Sequence, residues 1–126
     1  MVRTRASAKA AGSTFERSIA NYLAEMVDDR IDRRVKTGAK DKGDIAGIRF
    51  DPEVLDRGRV VVENKDYGGR LLPSQWVAEA QAEAENDGAL FGVVIAKRKG
   101  TTDPSRQWVL MTTAEFVTIL TGVRAW

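Results

Sequence analysis

The feature of this sequence that most restricts its fold is an almost unbroken apolar run, ALFGVVIAKR, which begins at Ala89. Successive side chains of a strand point to opposite faces of a sheet, so an apolar run without alternation indicates a strand that is covered on both faces. Each of those faces must be buried by another layer of structure. We therefore predict an α/β domain in which a mixed central sheet is flanked by helices.

The helices are predicted from periodicity and capping residues. The segment STFERSIANYLAEMV carries its apolar residues at helical spacing, and within it Ser13 and Glu16 have the spacing of a capping box. A second helix is predicted from an N-cap at Ser74 to Asp87, with Gly88 just after its end. The segment TAEFVTIL predicts a closing helix.

Three strands are predicted between the first two helices: RIDRRVKT, DIAGIRF and RVVVENK. Polar, Gly-bounded segments separate them, so we expect a three-stranded meander. A short strand, WVLM, precedes the closing helix. The predicted order is α-β-β-β-α-β-β-α. Because a crossover helix precedes the apolar strand, we expect that strand to pair parallel with a strand of the meander.

The length of the chain fits one domain, since 126 residues can bury a sizeable core. We expect residues 1–12, which are small and basic, to form a flexible arm and residues 13–126 to form a single domain. No apolar run approaches the roughly 18 residues of a membrane span, and the N-terminal segment lacks the apolar stretch of a secretory signal. With no Cys in the chain, we expect a reducing compartment, the cytoplasm, and no membrane partner.

The absence of His narrows the chemistry further. Histidine is the commonest general base and metal ligand, and without cysteine there are no thiolate metal sites either. Any hydrolytic chemistry must therefore use carboxylates, lysine, hydroxyls or a hard cation.

The strand RVVVENK ends in two opposite charges, Glu63 and Lys65, on either side of Asn64. Side chains alternate along a strand, so Glu63 and Lys65 share one face while Asn64 points to the other. Asp44 opens the preceding strand of the meander. Adjacent antiparallel strands place the start of one beside the finish of the next, so we expect Asp44 and Glu63 to converge with Lys65 at one edge of the sheet.

That combination of side chains suits a hard metal ion. Mg²⁺ takes oxygen ligands and is commonly held by one or two carboxylates together with a substrate phosphate. Lys65 could then orient a water or stabilise developing negative charge. Simpler interpretations remain open: Glu63 and Lys65 as a cross-strand charge pair, Asp44 as a turn residue after Gly43, and Glu16 as a capping residue.

The segments GDIAGI and VVVENK, with a Glu-x-Lys pair and an upstream helix that bears Glu16, resemble the PD-(D/E)XK nuclease superfamily. Within it the chain is most similar to small Holliday-junction resolvases of the archaeal type and their phage-encoded relatives. The proline of the signature is replaced here by Gly43. The resemblance covers nearly the whole chain, and it implies a restriction-endonuclease-like core.

The resemblance also implies roles for individual residues. Asp44 and Glu63 would be metal ligands, together with the backbone carbonyl of Asn64, and Lys65 would be the catalytic lysine. Glu16 would be the acidic residue of the first helix that supports the metal site, and Gln75 matches a glutamine near the site. The implied cofactor is Mg²⁺, with Mn²⁺ also supporting activity, and we expect no small-molecule cofactor.

Basic residues are concentrated in the first third of the chain although the formal net charge is only +2. Such a basic face is typical of a protein that binds a polyanion, although a solvated basic surface explains it equally well. The chain contains no base-reading motif, so we expect recognition of the shape of branched or duplex DNA. The candidate DNA contacts, with Gln75, are Arg3, Arg5, Lys9, Arg33, Arg34, Lys36, Lys40 and Lys42.

The sequence thus predicts a metal-dependent, structure-selective DNA endonuclease, in particular a Holliday-junction resolvase that hydrolyses phosphodiesters at four-way junctions. Symmetric cutting needs two active sites, so this hypothesis implies a homodimer. If the protein is phage-encoded, we expect it in the host cytoplasm. Two alternatives remain: a nicking, restriction-like or single-strand nuclease of the same superfamily, and a non-catalytic DNA-binding protein on this fold.

Overall fold

The computed structural model describes residues 3–34, 41, 43–48 and 58–126. In these ranges the elements follow the predicted order α-β-β-β-α-β-β-α, with one 3-10 turn at Pro104–Arg106. The three helices are α1 (Arg5–Met26), α2 (Pro73–Asp87) and α3 (Thr113–Thr121). The five strands are β1 (Asp32–Arg33), β2 (Ile45–Ala46), β3 (Val60–Lys65), β4 (Phe91–Ala96) and β5 (Trp108–Leu110).

The strands form one mixed sheet in the order β1-β2-β3-β4-β5. The pairs β1–β2, β2–β3 and β4–β5 are antiparallel, while β3 and β4 run parallel from Val60 opposite Phe91 to Lys65 opposite Ala96. The predicted parallel pairing of the apolar strand with the meander is therefore confirmed. All six residues of β4 are buried, as the unbroken apolar run indicated.

Helices cover both faces of the sheet, and the two faces divide the residues of β3 between them. On one face, Phe15 and Ile19 of α1 pack with Val62. On the other face, Val61 packs with Ala84 of α2. Because strand side chains alternate, Glu63 and Lys65 lie on the α2 side with Val61, and Asn64 lies on the α1 side with Val62.

The start of α1 differs from the prediction. The helix begins at Arg5, where the N-cap Thr4 accepts a hydrogen bond from the backbone N–H of Ser7 at 3.0 Å. Residues 5–12 thus belong to the helix, and the predicted capping box of Ser13 and Glu16 is wrong because both residues lie inside the helix. The sequence RASAKAAG has no apolar stripe, but its Ala, Arg and Lys are strong helix formers.

The ends of α2 were predicted with mixed success. Its N-cap is Leu72, which makes no side-chain capping bond, so the predicted N-cap at Ser74 is wrong. Pro73 begins the helix because its fixed φ and missing N–H suit the first helical position. The predicted end is confirmed, since Gly88 follows Asp87 in the left-handed conformation with φ of 66°. No helix among the described residues is long and apolar enough to cross a bilayer.

Candidate active site

Asp44 lies against the end of β3, as the meander predicted. Its backbone N–H donates to the Val62 carbonyl at 2.9 Å, and its carbonyl accepts from the Arg34 N–H at 2.7 Å. Its carboxylate oxygen Oδ2 accepts a hydrogen bond from the backbone N–H of Asn64 at 2.8 Å. These three bonds fix a carboxylate that is only 8% exposed at the rim where β2 begins and β3 ends.

The Asn64 backbone points toward this same rim. Within an antiparallel ladder the N–H and C=O of one residue point to the same side of the strand. Since the Asn64 N–H points to Asp44, its carbonyl oxygen also lies on the Asp44 side. The carbonyl predicted as a metal ligand is therefore directed to the edge of β3 that carries the Asp44 carboxylate.

Gly43 allows Asp44 to lie close to the end of β3. Its φ of 93° lies in the left-handed region, and a Cβ at this position would overlap the side chain of Val61. A proline cannot adopt a positive φ, because its ring holds φ near about −65°. A glycine rather than a proline before Asp44 therefore has a local reason. The Asp41 carboxylate accepts a hydrogen bond from the Gly43 N–H at 2.9 Å.

Lys65 lies on the α2 side of the sheet between two carboxylates. Its Nζ is 2.7 Å from Glu79 Oε2 and 3.5 Å from Glu63 Oε1. Burial lowers the pKa of Lys65, but the hydrogen bond with Glu79 and the charges of Glu63 and Glu79 outweigh that effect and leave the pKa raised. Lys65 is consequently an ammonium group at neutral pH and can donate hydrogen bonds or neutralise charge.

A second acidic group lies around Glu63. One ligand oxygen each of Asp41, Glu63 and Glu83 lies within 4.8 Å of the other two. Glu83 is 5% exposed. Burial, a hydrogen bond with Glu63 and the charges of Glu63, Asp41 and Asp44 raise its pKa to about 10. Among the described residues this is the one group of three or more metal-binding side chains this close together, and Asp44 is not a member of it.

Sequence reasoning missed Glu83 and Asp41. Glu83 lies seven residues after Trp76 and three after Ala80, on the stripe of α2 that faces the sheet. An acidic residue on the apolar stripe of a helix is a signal that could have identified it. Asp41 lies in a loop, where a single acidic residue carries no such signal.

Glu16 lies on the opposite side of the sheet from Lys65. Its Oε2 pairs with the guanidinium of Arg33 at 3.2 Å. Glu16 and Asp44 line one open cleft of about 710 Å³, together with Lys9 and Arg34. Glu16 therefore shares a cleft with Asp44, one of the predicted metal ligands. It does not belong to the group of carboxylates around Glu63.

The predicted DNA-contacting residues fall into three sets. Arg5, Lys9 and Gln75 are exposed, and Gln75 donates a hydrogen bond to Glu79 at 3.2 Å. Three arginines are held in intramolecular ion pairs: Arg3 with Asp66 at 3.0 Å, Arg33 with Glu16 at 3.2 Å, and Arg34 with Asp87 at 3.4 Å. Lys36, Lys40 and Lys42 lie outside the described residues. Contact of these side chains with DNA stays a prediction.

The donor set fits a hard divalent cation. All side-chain donors are carboxylate oxygens, which Mg²⁺ and Mn²⁺ prefer over softer ligands. Glu63 and Glu83 each keep one buried oxygen, Oε2, that has no hydrogen-bond partner. Buried carboxylates that face each other repel unless a proton or a cation lies between them.

No family model, curated protein or solved structure matches this chain. What the site does is therefore inferred from its residues.

Proposed function

We propose that this protein is a metal-dependent DNA endonuclease that cleaves branched DNA, with the four-way junction as its preferred substrate. The observation that carries the proposal is the meeting of Asp44 with the end of β3, where its carboxylate is 2.8 Å from the Asn64 N–H. Lys65 is 3.5 Å from Glu63 at the same strand end. The resemblance of these residues to the PD-(D/E)XK signature gives the reaction class.

Each residue of the strand end has a distinct part in the proposed reaction. Asp44, Glu63 and the Asn64 carbonyl oxygen would hold Mg²⁺ or Mn²⁺. The chemistry that such a cation would supply is Lewis acidity toward a phosphodiester and a lowered pKa of a water molecule. Lys65 remains protonated, so it is not a general base. It places positive charge beside the developing charge of the phosphate, while Glu79 holds its Nζ at 2.7 Å.

The supporting residues lie on the other side of the sheet. Glu16 and Arg33 form an ion pair in the cleft that Asp44 also lines. We assign a positioning role to Glu16: from this shared cleft it orients the part of the site that contains Asp44. Arg5 and Lys9 are exposed on α1, where their charges attract phosphates without reading sequence.

The experiment that tests this function compares a four-way junction with a linear duplex of matched sequence. Both are incubated with the full chain at equal salt, with Mg²⁺ or with chelator. We expect Mg²⁺-dependent incision of the junction in preference to the duplex. Cleavage of linear, nicked or single-stranded DNA instead would favour another nuclease of the superfamily. Tight binding with no cleavage in Mg²⁺ or Mn²⁺ would favour a non-catalytic DNA-binding protein.

Asp44→Asn gives the decisive variant because it removes a ligand charge and retains the shape of the side chain. Loss of even an outer partner of a metal ligand costs about 10–100-fold, so we expect cleavage to fall at least ~100-fold with junction binding retained. Asp29→Asn is the control, since Asp29 is an exposed acidic residue in the turn before β1. Full cleavage by the Asp44 variant would overturn the proposed function.

A further inference from the structure

Glu83 is an acidic residue in a position where α2 is otherwise apolar. The buried residues of this helix are Trp76, Ala80, Glu83 and Ala84. An ionised carboxylate in such a position is costly unless a partner compensates its charge. Among the described residues, no lysine or arginine forms an ion pair with Glu83. The helix therefore brings an acidic group to the sheet, and no basic side chain of the described residues pairs with it.

The groups that face Glu83 are also acidic. Glu63 projects from β3 and Asp41 from the loop before β2, and one oxygen of each carboxylate lies within 4.8 Å of the others. Ligands of one octahedral Mg²⁺ lie about 2.9 to 4.2 Å apart when the bonds are 2.0–2.1 Å. The spacing of the three carboxylates is thus close to that of ligands around a single cation.

A second observation is independent of this clustering. The Oε2 atoms of Glu63 and Glu83 are both buried and have no hydrogen-bond partner, and the residues are 8% and 5% exposed. Buried carboxylate oxygens are almost always satisfied, so two unsatisfied oxygens on facing residues indicate a missing positive ligand. Lys65 does not fill this role, because its contact with Glu63 is to the other oxygen, Oε1, at 3.5 Å.

We propose that Asp41, Glu63 and Glu83 form a second divalent-cation site, which shares Glu63 with the cation site at Asp44. The inference rests on the proposed function in taking Glu63 as a ligand common to both sites. Glu63 can serve both because a carboxylate has two oxygens. Glu83 gives α2 a direct role in the metal centre, and Asp41 links that centre to Asp44 through its hydrogen bond with the Gly43 N–H.

The test counts Mn²⁺ ions bound to the DNA-free full chain, from the electron paramagnetic resonance signal of free Mn²⁺. We expect two ions per chain for the wild type. Glu83→Gln should lose one of them or bind it at least ~10-fold more weakly. Glu85→Gln is the matched control, because Glu85 is an exposed glutamate on the same helix; it should bind as the wild type does. Asp41→Asn, at an exposed position, repeats the test if the Glu83 variant does not fold.

Each outcome separates this inference from the proposed function. If Asp44→Asn loses one ion and retains the Glu83-dependent ion, the two sites are distinct as proposed. Unchanged Mn²⁺ binding by both Glu83→Gln and Asp41→Asn overturns the second site, and the proposed endonuclease remains supported if Asp44→Asn still abolishes cleavage. Loss of the Glu83-dependent ion in a protein that cleaves no DNA would support the site and overturn the endonuclease. A wild type that binds no Mn²⁺ overturns both.

Discussion

Two glutamates one turn apart on α2 face the same strand, with Glu79 beside Lys65 and Glu83 beside Glu63. The hydrogen bond from Lys65 lowers the pKa of Glu79. Burial and neighbouring carboxylates raise the pKa of Glu83 to about 10. The same helix thus presents two different groups. Glu79 is a permanent anion that holds Lys65, whereas Glu83 is a carboxyl group that keeps its proton unless a cation replaces that proton. Opposite surroundings give two identical side chains different chemistry.

The raised pKa of Glu83 predicts a pH dependence of stability in the metal-free protein. Folding shifts the pKa from 4.5 to about 10, so between these values the folded chain binds more protons than the unfolded chain. Stability from this group is complete below its unfolded pKa and is lost as the pH rises. We expect the free energy of unfolding, measured with urea in chelator, to fall by at most about 1.4 kcal/mol per pH unit through Glu83.

The comparison with variants isolates this contribution from other titrating groups. The charged groups that act on Glu83 are Glu63, Asp41 and Asp44. Glu83→Gln should flatten the fall in stability between about pH 5 and pH 10, because glutamine does not titrate. Glu85→Gln, at an exposed position, should retain the wild-type slope. Parallel pH profiles for the wild type and Glu83→Gln would contradict the prediction.

The site depends on how closely α2 packs against the sheet. Gly92 of β4 lies directly under the helix, and a Cβ at this position would overlap the backbone carbonyl of Ala80. A backbone atom cannot move aside as a flexible side chain can, so any side chain at Gly92 must push α2 outward. The contacts of Glu79 with Lys65 and of Glu83 with Glu63 depend on the same helix position.

Gly92→Ala is therefore expected to destabilise the fold by about 1–3 kcal/mol, the usual cost of overpacking a core. Urea unfolding monitored by circular dichroism measures this loss. Gly12→Ala is the matched control: Gly12 lies in α1, and a Cβ there meets nothing within 4 Å. That variant should be up to about 1 kcal/mol more stable than the wild type, because alanine favours a helix interior. Equal stabilities of the two variants would contradict close packing at Gly92.

Elements whose apolar residues are periodic or continuous could be predicted from the sequence, because burial determines them. The strands RVVVENK and ALFGVVIAKR and their parallel pairing are of this kind. The first turns of α1 were missed because helix propensity, without a buried stripe, sets their conformation. For the site, the approach of Asp44 to β3 followed from the meander. The meeting of Glu83 with Glu63 did not, because it depends on the rotation of α2 about its axis.

The burial pattern of α3 is the reverse of the usual one. Its fully buried residues are polar, Glu115 and Thr118, while Phe116 and Leu120 are 51% and 68% exposed. Oε1 of Glu115 accepts hydrogen bonds from Gln81 and Thr112, while its buried Oε2 has no hydrogen-bond partner. A surface helix normally turns its apolar stripe to the core, so an exposed apolar face marks a contact with another surface. The other exposed apolar residues of this region are Trp108, Val109, Val117, Ile119, Val123 and Trp126.

A second copy of the chain is the partner that the proposed function requires. Cutting two symmetric strands of a junction needs two active sites, and a twofold interface is formed by the same patch on both subunits. An apolar helix face with an edge strand beside it can be self-complementary in this way, since β5 is the last strand of the sheet. We therefore expect the exposed face of α3 to be buried between two protomers.

Leu120→Glu tests this arrangement by placing a charge at the most exposed large apolar residue within α3. Light scattering after size exclusion should give twice the chain mass for the wild type and a single chain mass for the variant, because burying an unpaired carboxylate at an interface is costly. Met26→Glu makes the same change at an apolar residue that is 63% exposed at the end of α1, and it should remain dimeric. On four-way junctions, Leu120→Glu should lose paired incision and keep Mn²⁺ binding, since the interface lies apart from the carboxylates. A dimeric Leu120→Glu variant, or a wild type that is monomeric at every concentration, would show that this face serves another contact.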